Sequence, residues 1–209
     1  MTVTADEIKF YYTISASASS GATTGVAVGT AGQGLGGYPT KVAIPPYILN
    51  SPNIFDDITG AEGAEPDVEY RCILISNAAS SSNLTGVSVW LSVGDVDDTS
   101  DPDGATSTGN IEIARDYFGT TASAMLASTG FDPGSTTGQL ITSITDEDTA
   151  PTATVTAFSD GHYSVATALD IGPINAGQAK AIWLKRTATG VADNEWDFDI
   201  EIVADSDDS

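Results

Sequence analysis

The residues of this chain that could do chemistry most directly are carboxylates crowded into one polar segment. Five aspartates stand within residues 95–103: Asp95, Asp97, Asp98, Asp101 and Asp103. Hard oxygen ligands this close in sequence, beside a glycine turn, can hold Ca²⁺. The spacing is not that of an EF-hand, because a loop with Gly104 at its turn would place Asn110 where the bidentate glutamate belongs. The segment is a candidate cation site, and a solvated acidic loop is the alternative interpretation.

The only histidine, His162, lies in Asp160-Gly161-His162, a sequence typical of a turn. Asp160 could orient the imidazole, but no serine or cysteine stands in a nucleophile context such as G-x-S-x-G. Carboxylate pairs for glycoside hydrolysis are available by residue type alone, since acids occur throughout and nothing selects one pair. We therefore expect His162 to be a surface residue, name no catalytic residue and expect a protein that is not an enzyme.

Two further patterns could indicate ligand binding. Trp90, Trp183 and Trp196 could form a platform for stacking sugars, although aromatic residues in strands usually fill the core. Only Trp90 is predicted to face away from the aliphatic side of its strand. Residues 32–37 match the dinucleotide-binding spacing G-x-G-x-x-G, but Tyr38-Pro39 follows where that fingerprint needs a helix. We therefore expect no nucleotide cofactor.

The charge balance limits the partners. Seven Lys and Arg stand against 29 Asp and Glu, which gives a formal net charge of -22. Self-repulsion would destabilise the compact state at physiological salt, whereas at molar salt a Debye length of about 3 Å screens it. The composition favours a halophilic protein, and the alternative is an acidic protein of an ordinary habitat kept soluble by its charge. Binding to nucleic acid or to an anionic membrane is disfavoured, because no stretch is basic.

Residues that favour strands and turns dominate, and no window carries a helical apolar stripe, so we predict an all-β protein. Secure strands are predicted at residues 8–15, 69–77, 84–93, 179–186 and 195–203, and weaker ones at residues 111–114, 140–144, 155–158 and 163–169. Residues 78–83 are expected to form a hairpin loop and Thr189-Gly190 a turn. Together these elements predict an antiparallel β-sandwich, jelly-roll or immunoglobulin-like, with long loops.

Three regions are expected along the chain. Residues 1–40 form an N-terminal strand and a Gly/Ser/Thr-rich extended arm, the arm being residues 15–37; residues 41–203 form the sandwich, and residues 204–209 an acidic tail. Ile54-Phe55 is expected to anchor on the core. The last predicted strand alternates apolar residues with acids, so one face should be core and the other anionic. Cys72 is the only cysteine and is expected to be a small buried hydrophobe.

Several segments carry a resemblance to a known family: residues 53–58, 68–77, 87–91, 144–151 and 171–186. They resemble uncharacterised proteins encoded by tailed bacteriophages and related archaeal viruses, over roughly residues 50 to 187. The resemblance implies a virion structural role and supplies no catalytic residue. The acidic substitutions and the first forty residues depart from the family.

The resulting expectation is an accessory component of a tailed virus particle, on the capsid surface or the tail. Its partners would be major capsid or tail proteins and further copies of itself in a homo-oligomer. No secretion signal or membrane span is expected, so the protein would be assembled in the host cytoplasm and released by lysis within the virion. The alternatives are a carbohydrate-binding or adhesion module for a host-surface glycan and, after it, a glycan-degrading enzyme.

Overall fold

The computed structural model describes residues 3–14, 34–40, 43–44, 54–55, 67–93, 109–116, 133, 141–152, 157–188 and 198–207. These residues form nine strands and two short 3-10 helices, Ala5–Glu7 and Val165–Thr167. The strands are β1 Ile8–Ile14, β2 Gly36–Pro39, β3 Asp67–Asn77, β4 Leu84–Val93, β5 Gly109–Arg115, β6 Ile141–Ser143, β7 Leu169–Asp170, β8 Gln178–Ala188 and β9 Phe198–Ser206. Within this part of the chain, no helix is long and apolar enough to cross a membrane.

The strands form two sheets in which neighbouring strands run antiparallel. The larger sheet has the order β5-β8-β3-β1-β2-β6, and the smaller sheet has the order β7-β4-β9. The longest ladder joins β3 to β8, from Asp67 opposite Ala188 to Asn77 opposite Gln178. The predicted all-β, antiparallel sandwich is therefore confirmed.

Strand β3 lies in the larger sheet, and both of its faces are covered. Ile73 and Ile75 point into the core between the two sheets, whereas Cys72 and Leu74 point into a second core on the opposite face. All four side chains are fully buried. A strand covered on both faces needs a continuous apolar run rather than an alternating one. The prediction of a buried Cys72 is confirmed.

The smaller sheet covers the core between the two sheets with one of its faces, and its other face is exposed to solvent. We call this core the first core. Val87, Val89 and Leu91 of β4 are buried, and the residues between them are partly exposed. On β9, Ile200 is buried and Ile202 packs at the margin of the same core. Burying each aliphatic side chain of this kind contributes about 1.5–3 kcal/mol. The strand predicted at residues 84–93 is confirmed.

The second core forms where β2 and β6 extend the larger sheet. Its members are Tyr11, Leu35, Tyr70, Cys72, Leu74, Ile141, Ile144, Ala179, Ala181 and Trp183. Gly36 allows the close approach of β2 to β6, because its φ is +74° and a Cβ there would lie 1.6 Å from the carbonyl oxygen of Thr142. No larger residue fits at this position.

The hairpin predicted at residues 78–83 is wrong, because β3 and β4 belong to different sheets. The segment crosses from one sheet to the other. The side chain of Asn77 stabilises this connection through hydrogen bonds. Its side-chain amide donates to the carbonyl oxygens of Ser82 at 2.9 Å and Ile174 at 3.0 Å, and it accepts from the backbone N–H of Ala79 at 3.0 Å. Alternating apolar residues identify a strand but not the strand that pairs with it.

Other boundaries also differ from the prediction. Residues 34–37, the end of the predicted arm, belong to the fold, because Leu35 is buried and β2 pairs with both β1 and β6. Residues 15–33 lie outside the described residues. Residues 163–169 are not one strand, since Val165–Thr167 is a 3-10 helix. Strand β9 continues to Ser206, beyond the boundary predicted at residue 203.

Candidate functional site

The cations that the structure describes lie wholly or partly inside the fold. Arg71, Lys180 and Arg186 are buried, and Lys9, Arg115 and Lys185 are partly buried. By contrast, the exposed carboxylates in the same ranges are Asp6, Asp146, Asp148, Asp170, Glu201 and Asp205. The fully exposed charges of the described chain are therefore all negative, and its cations are buried or partly buried.

One end of the core between the sheets is closed by an ionic network, which comprises Glu69, Arg71, Glu147, Arg186 and the ring of Phe55. Register places Glu69 of β3 opposite Arg186 of β8, and their side chains form an ion pair. A guanidinium nitrogen of Arg71 lies 3.5 Å from the other carboxylate oxygen of Glu69. Buried charges are tolerated when they are paired, so each of these groups depends on the others.

Phe55 lies against both guanidinium groups of the network. Its ring centroid is 5.7 Å from Cζ of Arg71 and 4.9 Å from Cζ of Arg186. Desolvated cation–π contacts of this kind are worth about 2 kcal/mol. Nε of Arg71 also donates to the carbonyl oxygen of Ile54 at 3.3 Å. Ile54 and Phe55 are both buried, so the predicted anchor is confirmed.

Glu147 brings the segment after β6 into the network. Its carboxylate lies 2.5 Å from Nη2 of Arg71, and its carbonyl oxygen accepts a hydrogen bond of 2.8 Å from the backbone N–H of Tyr70. The backbone N–H of Cys72 donates in the same way to the carbonyl oxygen of Gly34. Glu147 and Gly34 thus complete the edge of β3 where its pairing with β1 has ended.

Two further cations close the opposite end of the same core. Nζ of Lys180 donates to the carbonyl oxygen of Ile171 at 2.5 Å, and Nη1 of Arg115 donates to that of Asp170 at 3.0 Å. Burial lowers the pKa of Lys180, and the charge of Arg115 lowers it further against the opposing effect of Asp170. These contacts attach β7 and the residues after it to the larger sheet.

The second core contains a buried carboxylate that orients Trp183. The indole Nε1–H of Trp183 donates to Oδ2 of Asp116 at 2.7 Å, and both residues are fully buried. Burial raises the pKa of the Cys72 thiol well above its usual range, and the charge of Asp116 raises it further. The thiol therefore stays protonated and unreactive at neutral pH. Trp183 is a core residue and contributes nothing to a sugar platform.

The outer face of the smaller sheet is a candidate binding surface. We define it by the outward residues of the three strands: Ser88, Trp90 and Ser92 of β4, Asp170 of β7, and Asp199, Glu201, Val203 and Asp205 of β9. Trp90 lies directly opposite Glu201, and Ser88 lies opposite Val203. The hydroxyl of Ser92 donates to Oε1 of Glu201 at 3.4 Å.

Exposed apolar side chains concentrate at this sheet. In the described ranges, the large hydrophobic residues classed as exposed are Tyr163, Val165 and Val203, at 48%, 62% and 43% exposure. Val203 belongs to the outer face. Tyr163 and Val165 lie in the segment beside the other edge of β4, where the backbone N–H of Leu91 donates to the carbonyl oxygen of His162 at 2.9 Å. Aromatic and apolar side chains next to carboxylates are typical of a binding surface.

His162 contacts the backbone of its own segment beside β4. Its Nδ1 lies 2.6 Å from the carbonyl oxygen of Thr167 and therefore carries the proton of this hydrogen bond. The side chain is partly exposed, as the sequence predicts for a surface histidine.

The predicted cation site lies outside the described residues, as do all five of its aspartates, Asp95, Asp97, Asp98, Asp101 and Asp103. Trp196 lies outside them as well. Within the ranges that the structure covers, no three His, Cys, Asp or Glu side chains are grouped so that they could hold a metal ion. The calcium site therefore stays a prediction.

The ionic network and the Asn83–Asp207 contact were missed by the sequence analysis. The backbone N–H of Asn83 donates to Oδ1 of Asp207 at 2.6 Å, and its amide Nδ2 donates to Oδ2 at 2.8 Å. These two hydrogen bonds lower the pKa of Asp207. One signal in the sequence could have indicated the network. Glu69, Arg71 and Arg186 occupy core-facing positions of strands, and the chain has few cations.

No protein-family model, no curated protein and no solved structure matches this chain.

Proposed function

We propose that this protein is a non-enzymatic structural component of a tailed virus particle, located on the capsid surface or the tail. It would stabilise or decorate the virion by binding major capsid or tail proteins and other copies of itself. It would bind neither nucleic acid nor membrane, because its described surface carries exposed carboxylates, whereas its described cations are buried or only partly exposed. Its place would be the virion, after assembly in the host cytoplasm.

The observation that supports this proposal most is where the segments with the virion-protein resemblance meet. Residues 53–58, 68–77, 144–151 and 171–186 each contribute a side chain to the ionic network. Residues 87–91 supply Val87, Val89 and Leu91 to the adjoining core. The described parts of the resembling segments therefore build the frame of the sandwich.

The salt environment is part of the same proposal. With a net charge of -22 and its described cations held inside, the molecule would repel other copies strongly in dilute salt. Assembly on a particle at close spacing would need that repulsion to be screened, as it is in a hypersaline medium. A halophilic virus is the setting that fits this surface.

A carbohydrate-binding module is the second candidate, and one observation favours it. Trp90 is partly exposed on the outer face between Ser88 and Ser92, and sugars stack on indole rings that stand among small polar residues. Three of the tyrosines that could have extended a platform, Tyr11, Tyr12 and Tyr70, are buried instead. This candidate therefore rests on Trp90.

Labelling of purified particles tests the proposed function. Antibodies against the recombinant protein would be applied to gradient-purified particles, kept at the salt of the growth medium, and viewed by electron microscopy. We expect label on capsids or tails, and antibody preabsorbed with the protein is the control. Label that remains in the soluble lysate and never on particles would overturn the proposal.

A further inference from the structure

We propose that the outer face of the smaller sheet is a docking surface for an arginine- or lysine-bearing segment of a different protein. The indole of Trp90 would stack against a cationic side chain, and the carboxylate of Glu201 would pair with the same charge. This inference names the chemistry of the attachment surface and in that respect rests on the proposed function.

The geometry around Trp90 favours a cation over its ring. Trp90 is partly exposed, and its neighbours along β4 on the same face are Ser88 and Ser92, which are too small to cover an indole. Glu201 stands opposite it on β9 and is exposed. An arginine or lysine side chain over an indole is attracted by the ring and gains further from a carboxylate at the same position.

Charge complementarity selects the partner. Asp170, Glu201 and Asp205 on this face are exposed, and Asp199 is partly exposed. A second copy of the chain fits less well, because it would bring exposed carboxylates against exposed carboxylates, and its described cations are buried or only partly exposed. A nucleic acid or an anionic glycan is repelled for the same reason. A basic protein segment is the occupant whose charge matches the face.

The apolar residues of the face explain how binding can survive in high salt. Val203 is 43% exposed and adjoins the Trp90 position, since Ser88 lies opposite it. Tyr163 and Val165 are also exposed, in the segment beside the other edge of β4. Screening at molar salt weakens the ion pairs, whereas burial of aromatic and aliphatic surface persists. Trp90 is therefore the expected anchor, and the carboxylates select the partner.

The test uses the full-length protein and a fluorescent peptide of alternating arginine and threonine, followed by anisotropy. A peptide with citrulline in place of arginine keeps the shape and removes the charge. We expect Trp90→Ala to weaken binding about tenfold or more and Glu201→Gln about threefold or more. Asp6→Asn removes an exposed carboxylate outside the outer face and should change binding by less than about twofold. The citrulline peptide should not bind.

Several results would overturn the inference. An effect of Asp6→Asn equal to that of Glu201→Gln would mean diffuse attraction rather than a site. Equal binding of the citrulline peptide, or no effect of Glu201→Gln in a variant with wild-type folding by circular dichroism, would remove the charge recognition. Trp90-dependent binding of neutral oligosaccharides without binding of the arginine peptide would make the face a glycan site. Self-association that is lost in Trp90→Ala would make a second copy the occupant. Peptide binding is measured without particles. A failure to bind the peptide would therefore not change the result of labelling the particles, which tests the proposed function separately.

Discussion

The carboxylate of Glu69 and the guanidinium of Arg186 face each other across neighbouring strands in the interior of the protein, each side chain only 5% exposed. Charges at this depth have lost their water, and each is stable only because the other is present. Phe55 and Arg71 complete the surroundings of the pair. Replacing one of the two residues should therefore destabilise this end of the sandwich, whereas replacing both with apolar residues should destabilise it less.

Replacing one partner of this pair should destabilise the protein strongly. We expect Arg186→Met to lower the free energy of unfolding by about 3–5 kcal/mol, because it leaves the carboxylate of Glu69 buried with an incomplete partner set. Urea denaturation in high salt measures the change. Lys9→Met, which removes the same charge from a partly buried site without an ion pair in the described structure, is the control and should cost less than about 1 kcal/mol.

The double variant separates pairing from packing. Adding Glu69→Met to Arg186→Met removes both charges, and apolar replacements of a buried pair are often close to neutral. We expect the double variant to be more stable than Arg186→Met alone. Additive losses from the two substitutions would show that the pair is not an energetic unit.

Strand β9 offers a second comparison between a core residue and its exposed neighbour. Ile200 is 7% exposed in the first core, whereas Glu201 is exposed on the outer face. We expect Ile200→Ala to cost about 2–5 kcal/mol and Glu201→Gln to change stability by less than about 0.5 kcal/mol. Thermal and urea unfolding of both variants measure this. A comparable loss in Glu201→Gln would assign that carboxylate a structural role and weaken its use as a binding variant.

The sequence predicted the elements of this fold better than their partners. Strands within residues 69–77 and 84–93 follow from their apolar patterns, and the buried Cys72 follows from its continuous apolar run. The crossing of residues 78–83 between sheets did not follow, because a short polar linker suits a hairpin as well as a crossing. What decides it is Asn77, whose hydrogen bonds reach Ile174, far along the chain.

The candidate site was less predictable than the fold. The outward orientation of Trp90 could be derived from alternation on β4, and the acidic side of β9 in the same way. The ionic network could not, because Glu69, Glu147 and Arg186 are distant in sequence and meet only through the order of the strands. Leu35 was assigned to the extended arm, because a single leucine among glycines shows no hydrophobic periodicity.

Two buried acids should make the protein less stable in alkali. Burial raises the pKa of the Cys72 thiol from its usual 9.0 and that of Tyr12 from 10.0 to about 12. Above pH 9 the unfolded chain releases the thiol proton while the folded protein keeps it, so stability falls as pH rises. Each such group contributes a slope of about 1.4 kcal/mol per pH unit.

The variant Cys72→Ala isolates the thiol in this alkaline loss. Its unfolding free energy should decline less between pH 9 and 10 than that of the wild type, as measured by urea denaturation at each pH. Lys180, whose lowered pKa acts in the opposite direction, is unchanged in both proteins and cancels in the comparison. Identical slopes would mean that the thiol ionises as readily in the folded protein as in the unfolded chain.

Salt should stabilise the protein. The net charge of -22 repels at low ionic strength, and added NaCl screens it, so the melting temperature should rise between about 0.05 M and about 1 M NaCl. Sucrose at matched osmolality is the control, because it favours burial without screening charge. A midpoint that stays constant or falls with NaCl would remove the argument for a halophilic protein.

We propose that the protein is a permanent structural part of a virus particle. Quantitative mass spectrometry of particles, purified through two successive density gradients at the salt of the growth medium, tests it most directly. We expect the protein at a constant ratio to the major capsid protein in every fraction that contains intact particles. A ratio that falls from the first gradient to the second, towards none, would contradict the claim and leave the protein as a soluble product of the infected cell.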